Sequence, residues 1–257
     1  MKGIKIKGLK KEFETNGKLR KLTAIEDIGL TVKPGEFVSI VGPSGCGKTT
    51  LLKIIGGLIR PTEGEILIEG EIPSKIRKRK SIGFVFQNPS LLPWRTVLEN
   101  IYLPLEIGNG SVSKKKNILK AKKLLELVGL SDFENALPQQ LSGGMQQRVA
   151  ITRALVFEPP FLLMDEPFGA LDELTRNSMD AELLRIWSKL KTTVLFVTHS
   201  IEEAVFLSDK AVVLSERPAK VKKVVKIELK RPRSAKIRYS IKFNKIAEDI
   251  LNQLKSD

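Results

Sequence analysis

Glu36-Phe37-Val38-Ser39-Ile40-Val41-Gly42-Pro43-Ser44-Gly45-Cys46-Gly47-Lys48-Thr49-Thr50-Leu51-Leu52-Lys53-Ile54-Ile55 decides the reading of this chain. Its centre, Gly42 to Thr49, fits the phosphate-loop spacing G-x-x-x-x-G-K-[ST]. The run Glu36 to Val41 is short, apolar and β-prone, and Pro34-Gly35 bounds it. The apolar residues of Thr50 to Ile55 can lie on one helix face. Strand, glycine loop and helix in that order are the context the motif needs. Glycines let successive backbone N–H groups turn inward around a polyphosphate, and the helix N-terminus adds its positive dipole end. Lys48 is expected to reach the β- and γ-phosphates of a nucleotide, and the Thr49 hydroxyl to ligate Mg²⁺.

The rest of the chain is consistent with such a core. It has 257 residues, of which 42% are hydrophobic, enough for one large domain with a subdomain. Cys46 is the only cysteine, so no internal disulfide forms and a reducing compartment is expected. No apolar run approaches the ~20 residues of a membrane span, and the N-terminus lacks the apolar core of a secretory signal. The expected location is therefore the cytoplasm, free or peripheral to a membrane.

The net charge is +15. Lysines and arginines cluster near the N-terminus, at Lys75 to Lys80 and from Arg217 to Arg238. Such a balance suits nucleotides, anionic lipid or simply a solvated surface. Nucleic-acid binding wants aromatics interleaved for stacking. Only Tyr239 and Phe243 sit near the last basic run, so nucleic acid is not the expected partner.

Strand signals fall at residues 4–8, Leu30 to Val32, Gly64 to Gly70 and Ile82 to Phe86. More fall at Phe161 to Met164, Thr193 to Val197, Ala211 to Leu214 and Val221 to Leu229. Thr15-Asn16-Gly17-Lys18 reads as a turn. Helical pattern runs from Val97 to Arg153, at about Asp172 to Leu190, and from Ile241 to Leu254. Strands alternating with helices around a phosphate loop predict an α/β fold. The expected form is a phosphate-loop NTPase core with an N-terminal antiparallel β subdomain and an inserted α-helical subdomain. The insert is expected at about residues 88–155 and a short C-terminal extension at about 217–257.

A second stretch narrows the function. Leu141-Ser142-Gly143-Gly144-Met145-Gln146-Gln147-Arg148 opens a helix. Ser142 is a good N-cap, and two glycines leave the first-turn N–H groups uncovered, so a second anion site is expected. Here the sequence resembles the ATP-binding subunits of ABC transporters, whose hallmark is this LSGGQ-type stretch. Met145 stands where that family most often has Gln. The resemblance covers nearly the whole chain, with the motifs in the expected order.

The resemblance carries roles onto further residues. Phe161 to Asp165 looks like the Walker B strand, which implies that Asp165 holds Mg²⁺ and Glu166 acts as general base on the attacking water. Gly169-Ala170-Leu171-Asp172 resembles the D-loop. His199, the only histidine, matches the switch histidine at the γ-phosphate. Gln87 matches the glutamine that reaches Mg²⁺ and water, and Phe13 the aromatic that stacks on adenine.

In this family each ATP lies between the phosphate loop of one subunit and the LSGGQ stretch of another. The resemblance thus implies a homodimer in the ATP-bound state, with Ser142 and Gly144 meeting a γ-phosphate held by the partner's Lys48. It also implies a separate membrane permease, docking around Leu91-Leu92-Pro93-Trp94, and an extracytoplasmic solute-binding protein. The protein is then expected at the cytoplasmic face of the cell membrane.

Gln87 to Asn100 and Ser215-Glu216-Arg217-Pro218 look like importer subunits for nitrate, aliphatic sulfonates and taurine, although Ala219 replaces the usual Gly. The sequence ends soon after residue 250, so the long regulatory domain of sugar-importer ATPases is not expected. A soluble ABC ATPase acting on ribosomes, DNA or an assembly partner is the alternative, as is an exporter subunit.

Overall fold

A computed structural model of the protein describes residues 3–14, 21–108 and 114–255. The turn read at Thr15 to Lys18 lies outside the described residues. Two sheets organise the chain. The smaller has three antiparallel strands, β1 (Ile4–Glu14), β2 (Lys21–Val32) and β4 (Glu63–Ile68), in the order β2-β1-β4.

The larger contains β3 (Phe37–Val41), β5 (Ile82–Val85), β6 (Phe161–Asp165), β7 (Thr193–Val197), β8 (Lys210–Leu214) and β9 (Val221–Lys226). Its order is β5-β6-β7-β3-β8-β9, parallel except for the antiparallel edge strand β9. β9 stops short of the expected Leu229, at Lys226, although one further bond in the same register joins the Ile227 N–H to the Asp209 carbonyl.

The central strands are apolar on both faces because both faces are covered. All residues of β3, β6 and β7 are buried. The side-chain alternation of a strand splits them between two cores. Val38, Ile40, Phe161, Leu163, Leu195 and Val197 join the antiparallel sheet and α1 (Lys48–Ile55). Phe37, Val41, Leu162, Met164, Val194 and Phe196 join the helical side.

The helical side is built from α3 (Val97–Gly108), α4 (Lys114–Leu127), α5 (Gly143–Leu155), α6 (Glu173–Leu190), α7 (Ile201–Leu207) and the C-terminal α8 (Ile241–Lys255). The short α2 (Pro73–Lys78) carries part of the basic cluster between β4 and β5. Neither α2 nor α7 is evident in the sequence pattern. Each spans only about two turns, too few for a 3.6-residue period to register.

Candidate functional site

The parallel register brings the C-terminal ends of β3, β6 and β7 to one edge of the sheet, where ligands of open α/β sheets bind. β3 leads into Gly42 to Gly47, and α1 begins at Lys48. Gly47 has φ +126°, a left-handed value that other residues resist, and a Cβ there would meet the Ala24 carbonyl at 2.9 Å. The loop thus passes so close to β2 that only glycine fits. Lys48 is buried, and its ammonium donates to the carbonyls of Gly42 (2.9 Å) and Pro43 (2.9 Å). Its charge is therefore held over the loop rather than in solvent. Cys46 lies free and buried beneath, where burial raises its thiol pKa.

The next strand end supplies carboxylates. The Thr49 hydroxyl donates to Asp165 Oδ1 at 3.0 Å. Asp165 is only 5% exposed, and burial pushes its carboxyl pKa up. Glu166 follows with φ +42°, a sparsely populated conformation for a non-glycine residue. Its N–H donates to the Val197 carbonyl (2.9 Å), which pins the bend. One Glu166 oxygen lies 3.8 Å from Lys48 Nζ and the other 3.1 Å from His199 Nδ1. The bend thus sets the carboxylate between the loop lysine and the only histidine.

His199 sits just past β7 on a braced turn. Thr198 Oγ1 donates to Glu203 and accepts from the Ser200 N–H. Ser200 caps α7 by accepting from the Glu203 N–H (3.3 Å). Burial raises the pKa of Glu203. Across the site, Asp172 caps α6 by accepting from the Thr175 N–H (3.0 Å), and that bond lowers its pKa. Arg176, one turn on, donates to the carbonyls of Phe168 and Leu171 and so holds the Gly169-Ala170-Leu171 turn.

Lys48, Thr49, Asp165, Glu166 and His199 are therefore one connected cluster. Gln87 is exposed two residues beyond Val85, which pairs with Met164, so it leaves the sheet at the edge where Asp165 ends. Ser142, Gly143 and Gly144 lie apart. Ser142 Oγ accepts from the Met145 N–H (3.3 Å) as the cap of α5. Ser142 and Gly143 are exposed, while Gly144 is buried against α6, where a Cβ would meet Thr175 Cγ2 at 2.9 Å. Among the described residues, no hydrogen bond or ion pair joins them to the Lys48 cluster. Phe13 is 38% exposed at the end of β1, with Lys11 Nζ 5.0 Å from its ring centre.

In the segment Leu91 to Trp94 the two leucines are half-buried, Pro93 and Trp94 are exposed, and the backbone is braced from below. Trp94 is 73% exposed. Buried Asn100 accepts from the Leu92 N–H (2.8 Å) and donates to the carbonyls of Leu92, Arg95 and Thr96. Thr96 and Glu99 cap α3 reciprocally. Sequence reasoning missed Arg153 of α5, which donates to the carbonyls of Pro89 (2.6 Å) and Ser90 (3.0 Å). It thereby ties the segment after Gln87 to the helix that Ser142 opens. Nothing in sequence spacing reveals such a pairing. Of the two aromatics near the last basic run, Phe243 is buried and Tyr239 exposed.

Among the described residues no helix is long and apolar enough to cross a membrane. Residues 25–169 match the family model described as ABC transporter. The chain is 51% identical to an uncharacterised ABC transporter ATP-binding protein of Methanocaldococcus jannaschii, over 99% of this chain and 92% of that one. It is 45% identical to an aliphatic sulfonates import ATP-binding protein of Bacillus cereus, over 97% and 95% of the two chains. A protein of the same name from Bacillus subtilis is 44% identical over 91% and 88%. Among solved structures, a dimeric ATP-binding cassette in a post-hydrolysis state with ADP and Pi superposes with a TM-score of 0.77. It is 37% identical and covers 88% of this chain and all of that one. This chain belongs to the ABC transporter family and is an ATP-binding, ATP-hydrolysing cassette of it.

Proposed function

We propose that this cassette powers import of a small anionic solute of the sulfonate type through a separate membrane subunit. The chemistry rests on one observation above all, the Glu166 carboxylate between Lys48 and His199. In this reading the loop from Gly42 to Thr50 wraps the phosphates of ATP, and Lys48 leaves its loop carbonyls to meet the β- and γ-phosphates. Phe13 stacks on adenine, its ring face already attractive to cations. Glu166 accepts the proton of the water that attacks the γ-phosphorus, and ADP leaves in line. His199 holds the Glu166 carboxylate and reaches the γ-phosphate, and Gln87 orients the water.

The donor set suits Mg²⁺. Thr49 Oγ1 and Asp165 Oδ1 are hard oxygen ligands side by side, and the buried carboxylate lacks a full counter-charge. An ion held there would take its remaining ligands from phosphate and water. When bound, the ion offsets charge on the transferring phosphoryl group.

Ser142, Gly143, Gly144 and Asp172 act on the nucleotide of a second copy, which makes the working unit a homodimer. Dimeric cassettes among the solved relatives support this. The helical insert, about residues 88–155, carries the docking surface for the permease at Leu91 to Trp94, and an extracytoplasmic solute-binding protein completes the importer. The protein then works at the cytoplasmic face of the membrane. The relatives named for aliphatic sulfonate import support the solute class.

Purification of the tagged protein from its own cell membranes tests this reading, with Trp94→Ala in parallel. A multi-span subunit should accompany the parent protein, and its recovery should fall several-fold with the variant, as for an exposed aromatic anchor. Recovery of ribosomal or DNA-associated proteins, with no membrane subunit, overturns the importer.

A further inference from the structure

Arg217 lies in the turn between β8 and β9, far along the chain from the loop that binds nucleotide. Its guanidinium reaches back to that loop. Nε donates to the Gly45 carbonyl at 3.1 Å, and Nη2 donates to the same oxygen. The turn that carries it is firmly built. Ser215 Oγ donates to the Glu216 carbonyl (2.8 Å) and accepts from the Lys220 N–H (2.9 Å). Ala219 bonds to β2 in both directions, its N–H to the Ala24 carbonyl (3.0 Å) and its carbonyl from the Glu26 N–H (3.0 Å). Arg217 therefore projects from a fixed base onto Gly45. Together with Glu216 it walls a cleft of about 350 Å³ over Pro43 to Cys46.

The consequence follows from peptide geometry. The C=O and N–H of a trans peptide point in opposite directions. Drawing the Gly45 carbonyl toward Arg217 turns the Cys46 N–H the other way, and it points at the Pro43 carbonyl at 3.3 Å. That carbonyl is one of the two that hold the Lys48 ammonium. Gly45 has φ +72° and, as glycine, no intrinsic preference to keep this orientation. The restraint comes instead from outside the loop.

We propose that Arg217 is a positioning residue for ATP binding. It fixes the Gly45–Cys46 peptide, and with it the Pro43-to-Cys46 turn whose Pro43 carbonyl helps to hold Lys48, so that the loop is shaped before nucleotide arrives. The inference rests on the reading of Gly42 to Thr49 as the phosphate site.

Titration calorimetry with ATP and steady-state hydrolysis test it in the full chain. Arg217→Ala should raise both Kd and KM for ATP about five- to tenfold, the scale of one charge-assisted hydrogen bond in a half-open site. The kcat at saturating ATP should stay within about twofold, since no reacting atom is touched. Arg217→Lys should recover only part, because an ammonium cannot reproduce the two-pronged hold. The nucleotide-free melting temperature reads any purely structural role. Unchanged Kd and KM in Arg217→Ala, or a loss of kcat that tracks a lower melting temperature, overturns the proposal. Lys48→Ala separates the two levels. If it abolishes ATP binding while Arg217→Ala leaves Kd intact, only the Arg217 inference fails. If Lys48→Ala also binds ATP normally, the phosphate-loop reading fails and takes the inference with it.

Discussion

Two helix N-termini among the described residues, those of α1 and α5, read from the sequence as anion sites, and they are finished to different degrees. At the start of α1 the loop, the buried Lys48, Asp165, Glu166 and His199 meet within one connected cluster. At the start of α5, Ser142 and Gly143 face solvent, and Ser142 caps only its own helix. The first site carries groups for charge, metal and proton transfer. The second offers backbone donors alone. The difference teaches that the second N-terminus is unfinished within one chain, which is why the homodimer proposed above assigns it to the nucleotide of a second copy.

The sharpest way to break this comparison is to disable the finished site. Glu166→Gln keeps the shape and removes the base, so turnover should fall about 10²- to 10⁴-fold while ATP binding persists. Size-exclusion chromatography with ATP and Mg²⁺ should then show a dimer. Turnover within about threefold of the parent protein would return Glu166 to a structural role.

A smaller effect tests the open face. Lys48→Ala and Ser142→Arg should each be nearly inactive alone. Mixed in equal amounts they should regain up to about a quarter of parental turnover, because half of random pairs are mixed and each holds one intact composite site. No recovery on mixing would argue that each chain works alone.

The smallest effect concerns what lies behind both sites. Asp180 of α6 is fully buried, and its carboxyl pKa is pushed up to about 7, first by burial and then by Glu203. Arg238, 2.5 Å from Oδ2, and Arg176 oppose the shift. A raised folded pKa means that the native state binds the extra proton between about pH 4 and pH 7, so this group's contribution to stability falls as pH rises through that window. Asp180→Asn should flatten the fall of melting temperature from about pH 5 to pH 8 by a few degrees, at about 2–4 °C per kcal/mol in a chain of this size. An unchanged slope would remove Asp180 from the account.

Much of the fold and of the first site is legible in the amino-acid sequence alone. Mostly apolar runs, each with one polar residue in five, mark β3, β6 and β7, since strands covered on both faces need no polar alternation. The phosphate loop is legible because its chemistry is local in sequence. What escapes is what depends on distant partners. Arg153, Arg176 and Arg217 look alike as letters, yet each holds carbonyls in a different loop. Ser215 to Pro218 stands out as a family-like stretch, but only the fold reveals that its arginine meets Gly45. Ala219 fills a fully buried position bonded to β2. The Glu166 bend is likewise invisible in sequence, because its left-handed backbone is imposed by Val197.

The grip of Arg153 on Pro89 and Ser90 has a further consequence. It makes the surface that bears Trp94 and the helix opened by Ser142 a single lever. In the homodimer proposed above, force applied at Trp94 would pass through Arg153 to the helix that faces the nucleotide of the other cassette. On that proposal the wiring would be crossed, each membrane contact reading the fuel state of its neighbour rather than its own.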